Sequence, residues 1–299
     1  MKDLNYGNWY NQMVRKLQIN GKSERTQQAY TRAVHQLIIH FKKNPEAITE
    51  KELEDYFLYR RNGSEWATAT LRICYIGIKF YFLYVLESEW KIFSILKSQK
   101  EQRLPAVLTN ESVHSILSHI KTFHNFVFLS TVYACGLRLQ EALYLQVSDI
   151  DSKRMMLHVH RGKGAKDRYV PIPEETLLLL RRYWLTHRNP VLVFPALGRS
   201  CKLGSTSNIP MNRSSVQGAF IRAKKKANIN KRGVSIHTLR HSYATHLLEA
   251  GVNIRVIQRY MGHKMLETTM KYLHLTQKGQ EDAYQIINTV MSGFSNDRS

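Results

Sequence analysis

Apolar residues in the first hundred positions recur at the spacing of amphipathic helices. Within residues 23–41 they fall three or four positions apart, at Tyr30, Val34, Leu37, Ile38 and Phe41. A second helix is predicted to begin at Thr49, because Thr49 and Glu52 match the capping box, in which side chain and backbone satisfy each other's hydrogen bonds. Similar periods at residues 9–17 and after Trp66 indicate an all-helical first part of the chain.

The apolar segment at residues 66–86 could be mistaken for a membrane span. Arg72 and Lys79 lie inside it, and a charged residue near the bilayer centre costs about 2.5 kcal/mol or more. Leu71, Ile78 and Phe82 recur at helical spacing. The pattern therefore favours a core helix, and no membrane partner is expected.

The second part of the chain mixes helical and strand-like periods. Residues 123–135 form an apolar helix ended by Gly136, and residues 155–160 and 168–172 alternate with period two. Gly162-Lys163-Gly164 lies between those two runs, which predicts a β-hairpin with a basic tip. Further helices are predicted at residues 177–184 and from Ser215 onward, so the expected fold class is mainly α with a small β-sheet.

A polar stretch at residues 97–103, followed by Pro105, is the best candidate for a linker. We therefore predict a helical domain at residues 1–97, a linker at residues 98–106 and a second domain at residues 107–299.

The charge balance of the chain limits the class of binding partner. The 299 residues carry 44 Lys and Arg against 23 Asp and Glu, a net charge of +21, and the pI is about 9.9. After Leu104 there are 27 basic and 12 acidic residues, against 17 and 11 up to that point. A polyanion is the expected partner, nucleic acid before an acidic membrane surface.

The cysteines and the N-terminus indicate a reduced, cytoplasmic chain. The first residues contain no apolar run of a secretory signal, and the three cysteines are too dispersed for a zinc or disulfide pattern. His237 and His241 are spaced like zinc ligands, but Thr238 stands where the zinc-protease motif needs Glu. The Gly-Lys-Gly run is not a P-loop either. No metal and no cofactor are expected.

Three short motifs carry candidate chemistry. They are Cys135-Gly-Leu-Arg138 with Glu141, His237-Thr-Leu-Arg240-His241, and Gly262-His263 followed by Tyr272. On a helix, His237, Arg240 and His241 share one face. Each motif alone has a plain structural interpretation.

Together the motifs resemble those of the tyrosine recombinases, the phage integrase family. The residues that carry the resemblance occur in the family's order: Arg138, Lys163 on the hairpin, His237, Arg240, His263 and Tyr272. Residues 237–275 look especially similar to Xer-like recombinases and mobile-element integrases. The similarity extends over nearly the whole chain.

The resemblance implies a site-specific DNA recombinase that works through a 3′-phosphotyrosine intermediate, for DNA integration or excision or for replicon resolution. Tyr272 would be the nucleophile, Arg138 and Arg240 would hold phosphate oxygens, and Lys163 would be the general acid. His237 and His263 would handle protons and phosphate, with their roles not separable from sequence. Glu141 would support the basic groups.

The resemblance also implies a helical core-binding domain and a mixed α/β catalytic domain that clamp around DNA. Phosphate contacts are expected from basic residues beside these motifs and in the linker, although a solvated surface is the alternative for each. These residues are Lys97, Arg103, Lys166, Arg168, Arg222, Lys224, Lys225 and Lys226.

The implied partner is double-stranded DNA with a specific recombination site. Four protomers, or this chain with a related recombinase, would assemble in a synapse through an amphipathic C-terminal helix. Two alternatives stay open at this point: a type IB topoisomerase, and a catalytically silent DNA-binding protein of the same fold.

Overall fold

The chain divides into two compact units, Met1–Arg103 and Leu104–Ser299. The computed structural model describes residues 8–63, 66–95, 104–160, 167–198 and 203–273, together with Tyr284 and residues 287–289. The predicted linker at residues 98–106 spans the division between the units.

The first unit is built from helices only in its described residues. They are α1 (Asn8–Ile19), α2 (Glu24–Phe41), α3 (Glu50–Asn62), α4 (Thr68–Tyr84) and the short α5 (Ile92–Ile95). The longest two, α2 and α4, pack against each other around a core that includes Leu37, Tyr81 and Phe82.

Helix α4 is a core helix, as its period predicts. Ile78 and Phe82 are fully buried, and the Lys79 ammonium donates to the Phe93 carbonyl over 2.7 Å. Across the described residues, no helix has both the length and the apolar character needed to cross a bilayer.

The predicted capping box at Thr49 is present. The Thr49 hydroxyl accepts the Glu52 N–H at 3.3 Å, and the Glu52 carboxylate accepts the Thr49 N–H at 2.9 Å. Two backbone donors at the start of α3 are thereby satisfied.

The second unit combines eight α-helices, one short 3₁₀ helix at Val147–Asp149 and three strands in its described residues. The helices are α6 (Asn110–Ser118), α7 (Phe123–Ala134), α8 (Leu139–Leu143), α9 (Glu174–Trp184), α10 (Arg213–Lys226), α11 (Ile236–Glu249), α12 (Ile254–Met261) and α13 (Glu267–Met270). The apolar α7 is central and packs on α9, α10 and α11.

The three strands form one antiparallel sheet in the order β1 (Ile150–Asp151), β2 (Met156–Val159) and β3 (Arg168–Pro171). The hairpin of β2 and β3 was predicted, whereas β1 has two residues and is too short to show a period. Leu157 and Val159 point into the core, so His158 lies on the other face. The mostly helical fold with a small sheet agrees with the predicted fold class.

Replacing Thr49 with Ala should remove the hydroxyl half of the capping box. We expect the first unit to lose about 1 kcal/mol of unfolding free energy. Urea unfolding followed by tryptophan fluorescence measures this, since Trp9, Trp66 and Trp90 belong to that unit.

Thr70→Ala is the matched control, because Thr70 is exposed within α4 and alanine has a higher helix propensity than threonine. Its urea midpoint should be unchanged or slightly higher. Equal midpoints for Thr49→Ala and wild type would contradict a stabilising cap.

Candidate active site

Four segments of the second unit converge on one cluster, whose centre at Arg240 and Tyr272 is buried and whose edge at His237 is exposed. Arg138 precedes α8, His237 and Arg240 lie in the first half of α11, His263 follows α12, and Tyr272 follows α13. The structure thus brings five of the six predicted catalytic residues into one region. The sixth, Lys163, lies outside the described residues.

One carboxylate organises the basic side chains of this cluster. Glu141 Oε1 accepts a hydrogen bond from Arg138 Nη1 at 2.6 Å. Arg168 donates to both carboxylate oxygens of Glu141, at 2.9 Å to Oε1 and 2.7 Å to Oε2. Arg240 Nη1 lies 3.6 Å from Glu141 Oε2. Oε2 also accepts the Arg138 backbone N–H at 2.7 Å, which closes the first turn of α8. A single buried negative charge therefore faces three guanidinium groups.

Backbone carbonyls accept the remaining arginine donors. Arg168 Nε donates to Tyr260 O at 2.7 Å, and Arg240 donates to Gly136 O at 2.6 Å and to Met261 O. Tyr260 and Met261 are the last residues of α12, where unpaired carbonyls and the helix dipole favour cations. Arg138 Nη2 makes only long contacts of 3.4 Å there, so Arg138 is the least tightly held of the three.

Two glycines allow the chain to pass this close to the cluster. Gly262 ends α12 with φ +57°, and a Cβ there would lie 2.9 Å from Arg168 Cδ. Gly136, also at φ +57°, would place a Cβ 2.4 Å from the Tyr243 ring. Both positions combine a left-handed backbone with a close approach, which explains the Gly in each sequence motif.

The charges in the cluster set its protonation states. Although burial opposes ionisation of Glu141, the hydrogen bonds and charges of Arg168 and Arg240 hold its pKa at about 2. Burial and the nearby Arg138 lower the pKa of Arg240 to about 9, so its guanidinium stays charged at neutral pH.

The Tyr272 side chain is 2% exposed, and its hydroxyl lies 2.9 Å from His241 Nδ1. Burial raises the pKa of Tyr272 to about 12, although the charges of Arg240 and Arg138 act in the opposite direction. The phenol is therefore protonated at neutral pH and needs an acceptor for its proton before it can attack.

Three imidazoles near the Tyr272 phenol and the arginines have lowered pKa values and are neutral at pH 7. Burial, reinforced by the positive neighbours, lowers the pKa of His241 to about 4 and of His263 to about 3. The pKa of His237 is lowered for the same reasons. His263 Nδ1 is 2.9 Å from the Thr269 hydroxyl, and its ring lies parallel to that of Tyr272 at 6.2 Å. Neutral imidazoles can accept protons at pH 7.

His241 is the residue at this site that sequence reasoning did not assign. Its neighbour Arg240 was singled out, and His241 was seen only as a member of the same helical face. The contact with Tyr272 joins residues 31 positions apart, so it depends on how the turn after α13 packs on α11.

The structure corrects the expected role of Arg168. This side chain was predicted to contact DNA phosphate from the hairpin, but it is 7% exposed and its terminal nitrogens bind Glu141. Its place at the start of β3, facing inward with Val170, explains the difference. In this conformation its charge serves the buried cluster.

The predicted DNA contacts on α10 lie on its surface. Arg222, Lys225 and Lys226 are exposed, whereas Lys224 is half-buried and donates to the Lys231 carbonyl at 3.3 Å. None of them belongs to the buried cluster. The remaining predicted contacts, Lys97, Arg103 and Lys166, lie outside the described residues.

Comparison with known proteins identifies the family of the chain. Residues 106–278 match the phage integrase family, and residues 9–92 match its N-terminal SAM-like domain. A Sinorhizobium fredii protein provisionally named an integrase/recombinase is 35% identical, covering 88% of this chain and 83% of its own. Tyrosine recombinase XerA of Pyrococcus horikoshii is 31% identical, covering 93% of each chain.

The fold also matches a solved structure, the XerH site-specific recombinase bound to palindromic difH substrate. The TM-score is 0.69 at 20% identity, covering 93% of this chain and 85% of that one. The chain belongs to the phage integrase family and is a tyrosine recombinase, an enzyme of site-specific DNA recombination. Nothing in these comparisons favours a topoisomerase or a silent DNA-binding protein.

Replacing Glu141 with Gln should leave three guanidinium groups, two of them buried, without their counter-charge. Removing one partner of a buried ion pair costs about 3–5 kcal/mol of unfolding free energy. We expect a loss of that order at pH 7, measured by urea unfolding of the second unit. Glu175→Gln, at an exposed position of α9 in the same unit, is the control and should change little.

The same pair of variants tests the pKa of Glu141. A carboxyl with a pKa of about 2 in the folded state and about 4.5 when unfolded stabilises the fold above pH 4.5. That contribution disappears as the pH falls from about 4.5 to about 2. Wild type should therefore lose more stability over this interval than Glu141→Gln, and parallel curves would contradict the assignment.

Proposed function

We propose that Tyr272 attacks a DNA phosphodiester and that the buried cluster supports this step. The observation that carries the proposal is the Tyr272 hydroxyl, held 2.9 Å from a neutral imidazole beside Arg138 and Arg240. The tyrosine oxygen forms a bond to phosphorus while the bond from phosphorus to the 5′ oxygen breaks. The products are a 3′-phosphotyrosine and a 5′-hydroxyl end, and the reverse attack by another 5′-hydroxyl rejoins strands.

The arginines stabilise the charge that develops on the phosphate. Arg138 and Arg240 are planar, permanently charged forks that suit two phosphate oxygens, whereas lysine lacks this geometry. Glu141 and the α12 carbonyls hold them in place before substrate arrives, so little reorganisation is needed during the reaction. Arg138 can change its position more easily than Arg240, because Arg138 Nη2 makes only long hydrogen bonds of 3.4 Å.

His241 is proposed to accept the phenolic proton. For Nδ1 to accept, the ring must carry its own proton on Nε2, which is the neutral form favoured by the lowered pKa. His237 packs against His241 with ring centroids 4.6 Å apart and would assist as a proton-handling or phosphate-binding group. His263 would contact the phosphate from the other side of Tyr272.

Lys163 is proposed to protonate the departing 5′ oxygen, and this role rests on the sequence resemblance alone. Lys97, Arg103, Lys166, Arg222 and Lys224–Lys226 would contact the DNA backbone. Such contacts give affinity that falls steeply with salt, and they carry no base specificity.

The proposed substrate is double-stranded DNA with a specific recombination site, in the cytoplasm. The difH substrate is the DNA bound in the structure of the relative XerH. The proposed assembly is a homotetramer, or a tetramer shared with a related recombinase, joined through C-terminal segments. The C-terminal helix that would make this contact lies largely outside the described residues.

Tyr272→Phe should abolish the covalent protein–DNA adduct, because it removes the attacking oxygen. The measurement uses a nicked suicide duplex of the cognate site, on which wild type should accumulate adduct visible by denaturing gel. Tyr144→Phe is the control, since Tyr144 is exposed and outside the cluster, and it should form adduct like wild type. An adduct that persists in Tyr272→Phe would refute the nucleophile.

His241→Ala should slow strand cleavage about 10²-fold or more, the range ascribed to acid–base assistance, while DNA affinity stays near wild type. Single-turnover cleavage on the suicide duplex measures the rate. The slowed reaction should accelerate with rising pH and with added imidazole, because solvent must then take the proton of a phenol with a raised pKa. His119→Ala, on the surface of α6's C-terminus, should match wild type.

A uniform rate loss that neither pH nor imidazole alters would instead assign His241 a packing role only.

A further inference from the structure

The outer face of the small sheet carries a second cluster of titratable groups, which the recombination chemistry does not use. His160 Nε2 lies 2.6 Å from Asp149 Oδ1, and its Nδ1 lies 3.6 Å from Asp167 Oδ2. His158 Nε2 lies 3.4 Å from the same Asp167 oxygen, and the two imidazole centroids are 3.9 Å apart. Four side chains, one on β2 and three directly beside the ends of the strands, therefore meet on one face.

The register of the sheet produces this convergence. His158 lies on β2 and His160 directly follows its last residue, Val159. The two imidazoles are two positions apart and in contact, so both project from the face opposite Leu157 and Val159. The pair Ile150 with Leu157 places Asp149 beside His158. The pair Val159 with Arg168 places Asp167 beside His160.

Asp149 gives the cluster a buried, oriented acceptor. The residue is 5% exposed, and its Oδ2 accepts the Gln146 N–H at 2.8 Å. Its Oδ1 has no hydrogen-bond partner of adequate geometry among the described residues, despite the short distance to His160. A buried carboxylate oxygen is stabilised by a well-oriented partner, and a cation bound between Asp149 and His160 would supply one.

We propose that Asp149, His158 and His160 bind one divalent transition-metal ion, with zinc as the best-suited probe. One donor atom from each lies within 4.8 Å of the others, so small rotations of the two imidazoles bring all three onto one ion. Two imidazoles and a carboxylate are a common set of zinc ligands. The remaining coordination positions face solvent and take water.

Asp167 completes the site as an outer carboxylate. When Nε2 of His160 binds the metal, its Nδ1 carries the proton and donates toward Asp167 Oδ2. This contact orients the ring and increases its basicity. The site lies outside the cluster around Tyr272, and the proposal goes beyond the recombination activity.

The test is isothermal titration of zinc into the metal-free, full-length protein without DNA. Wild type should bind one zinc ion per chain, and His158→Ala and His160→Ala should each weaken that binding at least tenfold. Asp167→Asn should weaken it about 10- to 100-fold, the range measured for lost outer partners. His114→Ala, which removes an exposed imidazole on α6, should bind like wild type.

Thermal denaturation supplies a second measurement on the same proteins. Because the ion joins β1 to β2, zinc should raise the Tm of wild type and of His114→Ala, and leave that of His160→Ala unchanged. His160 is half-exposed, so its replacement should not prevent folding.

His237→Ala separates this site from the other pair of neighbouring imidazoles. Undiminished zinc binding by the His158→Ala/His160→Ala double variant, or loss of binding in His237→Ala alone, would overturn the proposal.

Discussion

The second unit depends on one buried carboxylate that faces three guanidinium groups. Without Glu141, the side chains of Arg138, Arg168 and Arg240 would place like charges in a low-dielectric interior, at a cost of several kcal/mol each. The backbone carbonyls at the end of α12 accept hydrogen bonds from the arginine N–H groups that do not bind Glu141. The arginines are thus fixed by α8, β3, α11 and α12 together, and the site is formed before any phosphate is present.

The same excess of positive charge determines what the surrounding groups can do. Burial and the arginines keep His241 and His263 neutral, so these imidazoles are bases at pH 7. Tyr272 is protonated, because burial outweighs the attraction of the arginines for a phenolate. An unreactive phenol beside a ready acceptor is a sensible resting state for an enzyme that must cleave only at its proper site. A bound phosphate would add negative charge to this region and change these balances.

The imidazoles on the sheet stand in a different electrostatic setting. His158 and His160 have carboxylates as their charged neighbours, and no arginine contact is seen for them in the described residues. One unit therefore places histidine in two electrostatic settings: beside arginines, where the imidazole stays neutral, and beside aspartates, where it is a candidate metal ligand. The difference follows from which face of the sheet or helix each residue occupies.

Much of the fold and the site can be predicted from sequence, because local patterns encode it. The helical periods, the Thr49 cap, the β2–β3 hairpin and the motifs around Arg138, Arg240 and Tyr272 are all short-range features. Strand β1 escapes prediction because two residues are too few to display a period.

Only the tertiary structure decided that Arg168 turns inward, that His241 meets Tyr272, and that Asp149 meets two histidines. These contacts depend on strand register and on the packing of distant segments, which residue spacing alone does not specify.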